Sequence, residues 1–191
     1  MLSNFFSNVV SPQSVALVTI DLQNLFSRMG GGTQTAQNMV TLLNDVKNVP
    51  INRVGVYMDK ENEGPEKAEG GFCRVSLGDY DFLHAKSDLD AMASLHSTND
   101  DLTLEKRLND LGVTHIAMGG YYTNWCVEAS ALTARTMEFK VAVLTDCVHD
   151  FFEKGDAGIQ RMSDEGVIMM DSTSFIQGLS QNFSQDLRLS A

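Results

Sequence analysis

The sequence predicts an α/β protein, a doubly wound, Rossmann-like sandwich around a six-stranded, mostly parallel sheet. Two observations carry that expectation. Short runs rich in β-branched and apolar residues alternate with longer stretches whose apolar positions recur at helical spacing, and such alternation implies parallel βαβ units with right-handed crossovers. The 191 residues also contain no linker, internal repeat or second composition regime, so a single domain spanning 1–191 is expected, with its core at about 14–178.

Taken in order, Val15–Asp21 (VALVTID) is a compact apolar run of the kind that lies buried in a parallel sheet. A helix is expected over about 35–47, where Val40, Leu43 and Val46 share a face. Asn52–Asp59 (NRVGVYMD) reads as the second strand, and 60–80, with Gly64-Pro65 and Gly70-Gly71, as a loop. Phe82–Lys86 is a short third strand. Apolar residues at 102, 104, 108 and 111 predict a helix that ends at Gly112. Thr114–Gly120 is the fourth strand, and a helix follows from Asn124 to Phe139 with Thr123 as its N-cap. Val141–Asp146 is the fifth strand, a helix covers about 154–165, and Val167–Asp171 is the last strand. The polar tail from Ser180 is expected to fray.

Composition excludes several function classes. A formal net charge of −11 argues against nucleic acid as a partner, because phosphate binding needs clustered Lys and Arg. No run approaches the roughly 18 apolar residues of a membrane span, and the N-terminal segment lacks signal-peptide character. No membrane association and a cytoplasmic location are therefore expected. The three cysteines, Cys73, Cys126 and Cys147, are an odd number without regular spacing, which argues against a disulfide framework. Cys73 and Cys147 read as structural. His84, His96, His115 and His149 show no metal-ligand spacing.

In a doubly wound sheet, ligands bind outside the carboxyl ends of the strands. Asp21, Asp59, Lys86, Asp146 and Asp171 all close predicted strands, and Cys126 falls in the first turn of the helix after the fourth. A thiol there feels the positive end of the helix dipole, which favours thiolate, and the free N–H groups can stabilise an oxyanion. A buried cysteine packing as a small hydrophobe is the competing reading. Asp21 could exchange a proton with the thiol, and Lys86 could hold both anions by its charge; alone, each also reads as an ordinary strand-end residue.

The motifs join these residues. Ala16–Phe26 (ALVTIDLQNLF) closely resembles the first-strand motif of the isochorismatase-like hydrolases, and Gly119–Glu128 (GGYYTNWCVE) resembles their nucleophile motif. Ala85–Met92 (AKSDLDAM) is similar to their lysine motif, with Met92 in place of the customary aromatic. The resemblance runs from about Val15 to Asp171. It implies Asp21 as general base and acid, Lys86 as its electrostatic partner and Cys126 as nucleophile. It also implies a cis peptide at Tyr121-Tyr122 and an oxyanion hole made by the backbone N–H groups of Tyr122 and Cys126.

The same resemblance narrows the chemistry. Zinc-dependent members carry D-x-H after the second strand, whereas this chain reads Asp59-Lys60-Glu61; no metal and no cofactor are expected. Retention of Cys126 favours cleavage of a C–N bond in an amide, ureide or carbamoyl group of a small molecule. An isochorismatase-type vinyl-ether hydrolase and a catalytically silent binding protein on the same fold are the alternatives. Gln23, Phe26, Tyr121 and Trp125 are candidate substrate contacts, although Tyr121 and Trp125 could equally pack in the core or at a subunit interface. Gly30-Gly31-Gly32 reads as a lid hinge. Family members are commonly dimers or tetramers, so a homo-oligomer is expected.

Overall fold

The computed structural model describes residues 4–29, 32–93, 102–151 and 155–184. Six strands form one sheet: β1 (Val15–Ile20), β2 (Asn52–Met58), β3 (Phe82–Lys86), β4 (His115–Tyr121), β5 (Lys140–His149) and β6 (Ile168–Met170). Their order is β3-β2-β1-β4-β5-β6 and every pairing is parallel. The order reverses between β1 and β4. That crevice is where a doubly wound sheet presents its ligands.

The apolar run at β1 becomes the central strand because both of its faces are covered; all six of its residues are buried. One core cluster packs beneath α2 (Thr33–Asp45) and α6 (Ser172–Phe183). The other packs beneath α3 (Leu104–Asp110), α4 (Glu128–Thr136) and α5 (Gly155–Asp164). In α2 the buried set Thr35, Ala36, Met39, Leu42 and Leu43 keeps the helical spacing. Thr103 caps α3 by accepting the Lys106 N–H at 3.2 Å. The short α1 (Asn24–Arg28) follows β1 directly. No described helix is long and apolar enough to cross a membrane.

Three expectations are corrected. The strand expected to end at Asp146 continues to His149, because a register irregularity opposite Met118 and Gly120 lets the chain bulge and resume pairing. Asp146 sits in that bulge and accepts the Ser172 N–H at 2.8 Å and its hydroxyl at 2.5 Å. Asp171 does not close the last strand; it caps α6, accepting the Ser174 N–H at 2.6 Å. The tail expected to fray from Ser180 is helical to Phe183, since Phe175, Leu179 and Phe183 bury one face of α6. Gly30, Gly31, Lys154 and His96 lie outside the described residues.

Candidate active site

Asp21 leaves β1 with φ of 51°, a left-handed conformation that Asp enters more readily than most residues with a Cβ. Its N–H donates to the Val56 carbonyl at 2.9 Å, and its own carbonyl accepts the Gln23 N–H at 2.6 Å. The backbone is thus tied on both sides while the residue as a whole is buried. Lys86 is the last residue of β3, beside Met58 at the end of β2, and is wholly buried. Its Nζ pairs with Asp21 Oδ2 at 2.9 Å, and donates to Cys126 Sγ at 3.4 Å and to the Asp88 carbonyl at 2.8 Å. Three acceptors match the three donors of an ammonium.

Cys126 reaches this pair from a five-residue π-turn, Thr123–Val127, that precedes α4. Thr123 was the expected N-cap. Tyr122 occupies that position instead, and its carbonyl accepts the N–H groups of both Trp125 (3.1 Å) and Val127 (3.2 Å). Single π-turns of this kind occur often at functional sites. The Tyr121-Tyr122 peptide is cis. Further along α4, Ser130 Oγ accepts the Ala91 N–H at 3.0 Å, which fastens the helix to the segment after Lys86.

The electrostatics depart from the simple helix-start expectation of a thiolate. Burial, then the Asp21 charge, push the Cys126 thiol up to about 12, against the lowering effect of Lys86. Burial also raises Asp21 above its ordinary value of 3.8, more than Lys86 lowers it. For Lys86 burial acts downward, but the charges of Asp21 and Cys126 and the hydrogen bonds to them outweigh it, so its pKa rises. These shifts favour a proton on both the Cys126 thiol and the Lys86 amine, while the Lys86 charge 2.9 Å away offsets part of the burial penalty on the Asp21 carboxylate. Asp21 Oδ1 is buried, and besides Lys86 the Cys126 side chain and the Met58 backbone act on the carboxylate, each lowering its pKa.

Of the candidate substrate contacts, two are committed elsewhere. The amide of Gln23 accepts the Met58 N–H at 2.8 Å and donates to the carbonyls of Met58 (3.0 Å) and Ala68 (2.7 Å). It ties the end of β1 to β2 and to the following loop. Tyr121 is wholly buried and its hydroxyl donates to the Gly32 carbonyl. A Cβ at Gly32 would lie 2.5 Å from the Tyr121 ring, so this glycine answers a packing demand.

The other two remain at the surface of the site. Phe26 meets the edge of Tyr122, with ring centroids 6.0 Å apart. Trp125 is 45% exposed and stands perpendicular to Tyr122. The Tyr122 hydroxyl, with the carbonyl of Phe26 at 2.8 Å and that of Met29 at 3.2 Å, fastens the end of α1 to this wall. Phe151, which stacks on Trp125 at 6.2 Å, was not anticipated. It lies beyond Asp146, the residue at which the sequence predicts the fifth strand to end.

At the end of β2, Asp59 is buried and its carboxylate accepts the N–H groups of Glu63 (2.9 Å) and Gly64 (3.0 Å). It serves as a loop cap. Glu61 is exposed, and among the described residues no group of three His, Cys, Asp or Glu side chains is placed to hold a metal ion. Cys73 and Cys147 are free and buried.

The crevice at the β1/β4 reversal buries a Lys, an Asp and a Cys, which defines an α/β protein with a buried cysteine at a helix start beside an Asp–Lys ion pair. The isochorismatase domain profile matches residues 15–174, and the chain belongs to the isochorismatase-like hydrolase family. Solved structures share the fold. A nicotinamidase/pyrazinamidase from Acinetobacter baumanii is 18% identical with a TM-score of 0.69, covering 86% of this chain and 99% of its own. YcaC from Pseudomonas aeruginosa, solved with hexane-2,5-diol and covalent acrylamide, is 18% identical (TM-score 0.74; 96% and 88% covered). The Escherichia coli YcaC gene product, described as an octameric hydrolase of unknown specificity, is 20% identical (TM-score 0.71; 94% and 92% covered). No curated protein matched significantly by sequence.

Proposed function

We propose that the protein is a cysteine-dependent hydrolase that cleaves a C–N bond of a small amide, ureide or carbamoyl compound. The observation that carries this reading is one buried ammonium, Lys86 Nζ, held 2.9 Å from Asp21 and 3.4 Å from Cys126. In the proposed cycle Cys126 Sγ attacks the carbonyl carbon while its proton passes to Asp21. The oxyanion is received by the backbone N–H groups of Tyr122 and Cys126. As the C–N bond breaks, Asp21 returns the proton to the leaving nitrogen and a thioester remains. Water then attacks the thioester, losing its proton to Asp21, and the acid leaves as Cys126 regains a proton. Lys86 stays charged throughout and offsets the negative charge that Asp21 and the thiol exchange. The wall made by the half-buried Phe26, the buried Tyr122 and the exposed Trp125 favours a small, flat or apolar acyl group.

A relative solved with covalent acrylamide suggests the probe. Acrylamide is expected to add once to the native protein, as read by intact mass, and not at all to Cys126→Ala. A panel of small amides, ureides and carbamoyl compounds, with isochorismate as the control, is expected to give turnover on a C–N substrate that Cys126→Ala abolishes. Isochorismate hydrolysis undiminished in that variant would overturn the reading. Assembly belongs to the same proposal: Leu25, Met29 and Trp125 are 41%, 42% and 45% exposed, and a homo-oligomer is expected. A monomer by light scattering at micromolar concentration would remove that part.

A further inference from the structure

The turn that carries Cys126 is braced by groups that the chemistry above does not use. Asn124, two residues before the cysteine, donates through Nδ2 to Asp150 Oδ2. Asp150 lies just past the end of β5, is 6% exposed, and accepts the Phe151 N–H on its other oxygen at 2.9 Å. On its far side Asn124 meets the backbone of α5, where a Cβ on Gly158 would come within 2.0 Å of Asn124 Oδ1. Two residues after the cysteine, Glu128 accepts both arms of Arg161 on α5, at 2.6 and 2.7 Å. Arg161 also feels the charge of Asp150. The π-turn is thus held from both sides by β5 and α5, while its N-cap residue Tyr122 contributes no side-chain cap.

We infer that Asp150, acting through Asn124, is a positioning residue that fixes Cys126 Sγ against Lys86 and Asp21. A free turn start would rely on a capping side chain to hold its backbone. Here the Asn124–Asp150 bond takes that role, and because Asp150 is buried it constrains the turn more than an exposed cap would. Both Asp150 oxygens accept hydrogen bonds, so Asp150→Asn either sets a donor against a donor or forces the Asn124 amide to turn over. The double exchange Asn124→Asp with Asp150→Asn restores one donor and one acceptor across the pair and leaves an acceptor for the Phe151 N–H. The inference rests on Cys126 being the nucleophile.

The test is the rate of acrylamide addition to Cys126 at saturation, with the half-saturating concentration and the thermal midpoint measured on the same samples. Misplacing a reacting group by 1 Å costs about 100-fold, so a shift of a few tenths of an ångström predicts a fall of roughly tenfold. Asp150→Asn and Asn124→Ala are both expected to lower the saturated rate by that factor at unchanged half-saturation. The double exchange is expected to recover most of it. A variant that merely loosens the fold would instead expose the thiol and give faster, non-saturating addition, and that outcome overturns the positioning role. So does a saturated rate within twofold of native in either single variant, or a loss that the double exchange leaves in place. If the native protein shows no addition dependent on Cys126, the nucleophile reading falls and the positioning role with it.

Discussion

At Asp21 a strained backbone, a buried carboxylate and an ammonium 2.9 Å away meet in one residue, and each fact limits what substitution can do. Removing Lys86 alone leaves Asp21 buried without its counter-charge, and removing the carboxylate alone does the same to Lys86. Breaking a buried pair from one side costs about 3–5 kcal/mol. Lys86→Met and Asp21→Asn are each expected to destabilise by that order in urea unfolding, and the double variant by clearly less than the sum. Additive losses would mean that the pair is not coupled. The raised Lys86 pKa means its contribution is fully present below 10.5 and is lost as pH rises through the higher folded value. A second prediction concerns the thiol. With its pKa pushed up to about 12, alkylation of Cys126 by iodoacetamide should climb with pH from 7 to 10 without a plateau. The Asp21 charge is one cause of that rise, so Asp21→Asn should move the pH at which alkylation climbs to lower values. Turnover should be lost in the same variant, because nothing remains to carry the proton to the leaving nitrogen. A curve that stays in place or moves to higher pH in Asp21→Asn would contradict the assignment of charges.

At the scale of elements, the crevice depends on how closely β1 and β4 approach. Gly120 adopts φ of 127°, and a Cβ there would stand 1.9 Å from the Ile20 carbonyl oxygen, immediately before Asp21. Gly120→Ala therefore combines overpacking with backbone strain, together roughly 2–6 kcal/mol, and should displace the strand end that aims Asp21. Gly64→Ala is the control: its φ is also positive, at 83°, but nothing lies within 4 Å of the added carbon, so only the strain of about 1–2 kcal/mol applies. Thermal midpoints that fall equally for the two would show that close approach is not the limiting factor. These elements also mark what the chain discloses by itself. β1 was legible because it is buried on both faces and so is apolar throughout, and β3 ends at Lys86 as expected. The π-turn was not legible, because it is made by the Tyr122 carbonyl gathering two N–H groups, an arrangement no local propensity encodes. Gln23 and Tyr121 looked like site residues because they flank Asp21 and Cys126 in sequence. Their side chains turn instead to Met58, Ala68 and Gly32, partners more than 30 positions away. The apolar spacing of α6 was present in the chain, but Asp171 resembled a strand end until its bond to Ser174 identified it as a cap.

For the molecule as a whole, charge separates into two regimes. The surface carries an excess of acids, with a net charge of −11 from 25 Asp and Glu against 14 Lys and Arg, and like charges on a compact body repel. The described surface pairs, Arg53–Asp81, Lys106–Asp110 and Arg161–Glu128, each include a partner with an exposed side chain, and such pairs add little to stability in water. The Lys86–Asp21 pair is buried, with side chains 0% and 2% exposed, where salt screens little. Added sodium chloride should therefore relieve the surface repulsion and leave the site alone. Between about 10 mM and 0.3 M the Debye length shrinks from about 30 Å to below 10 Å. A gain on the order of 1 kcal/mol follows, read as a thermal midpoint about 2–4 °C higher. Over the same range the saturated rate of acrylamide addition should change by less than twofold. A midpoint that falls with salt would mean that attractive surface pairs outweigh the net repulsion. A rate that falls steeply would mean that the ammonium at Lys86 is open to the solvent ions that its burial is expected to exclude.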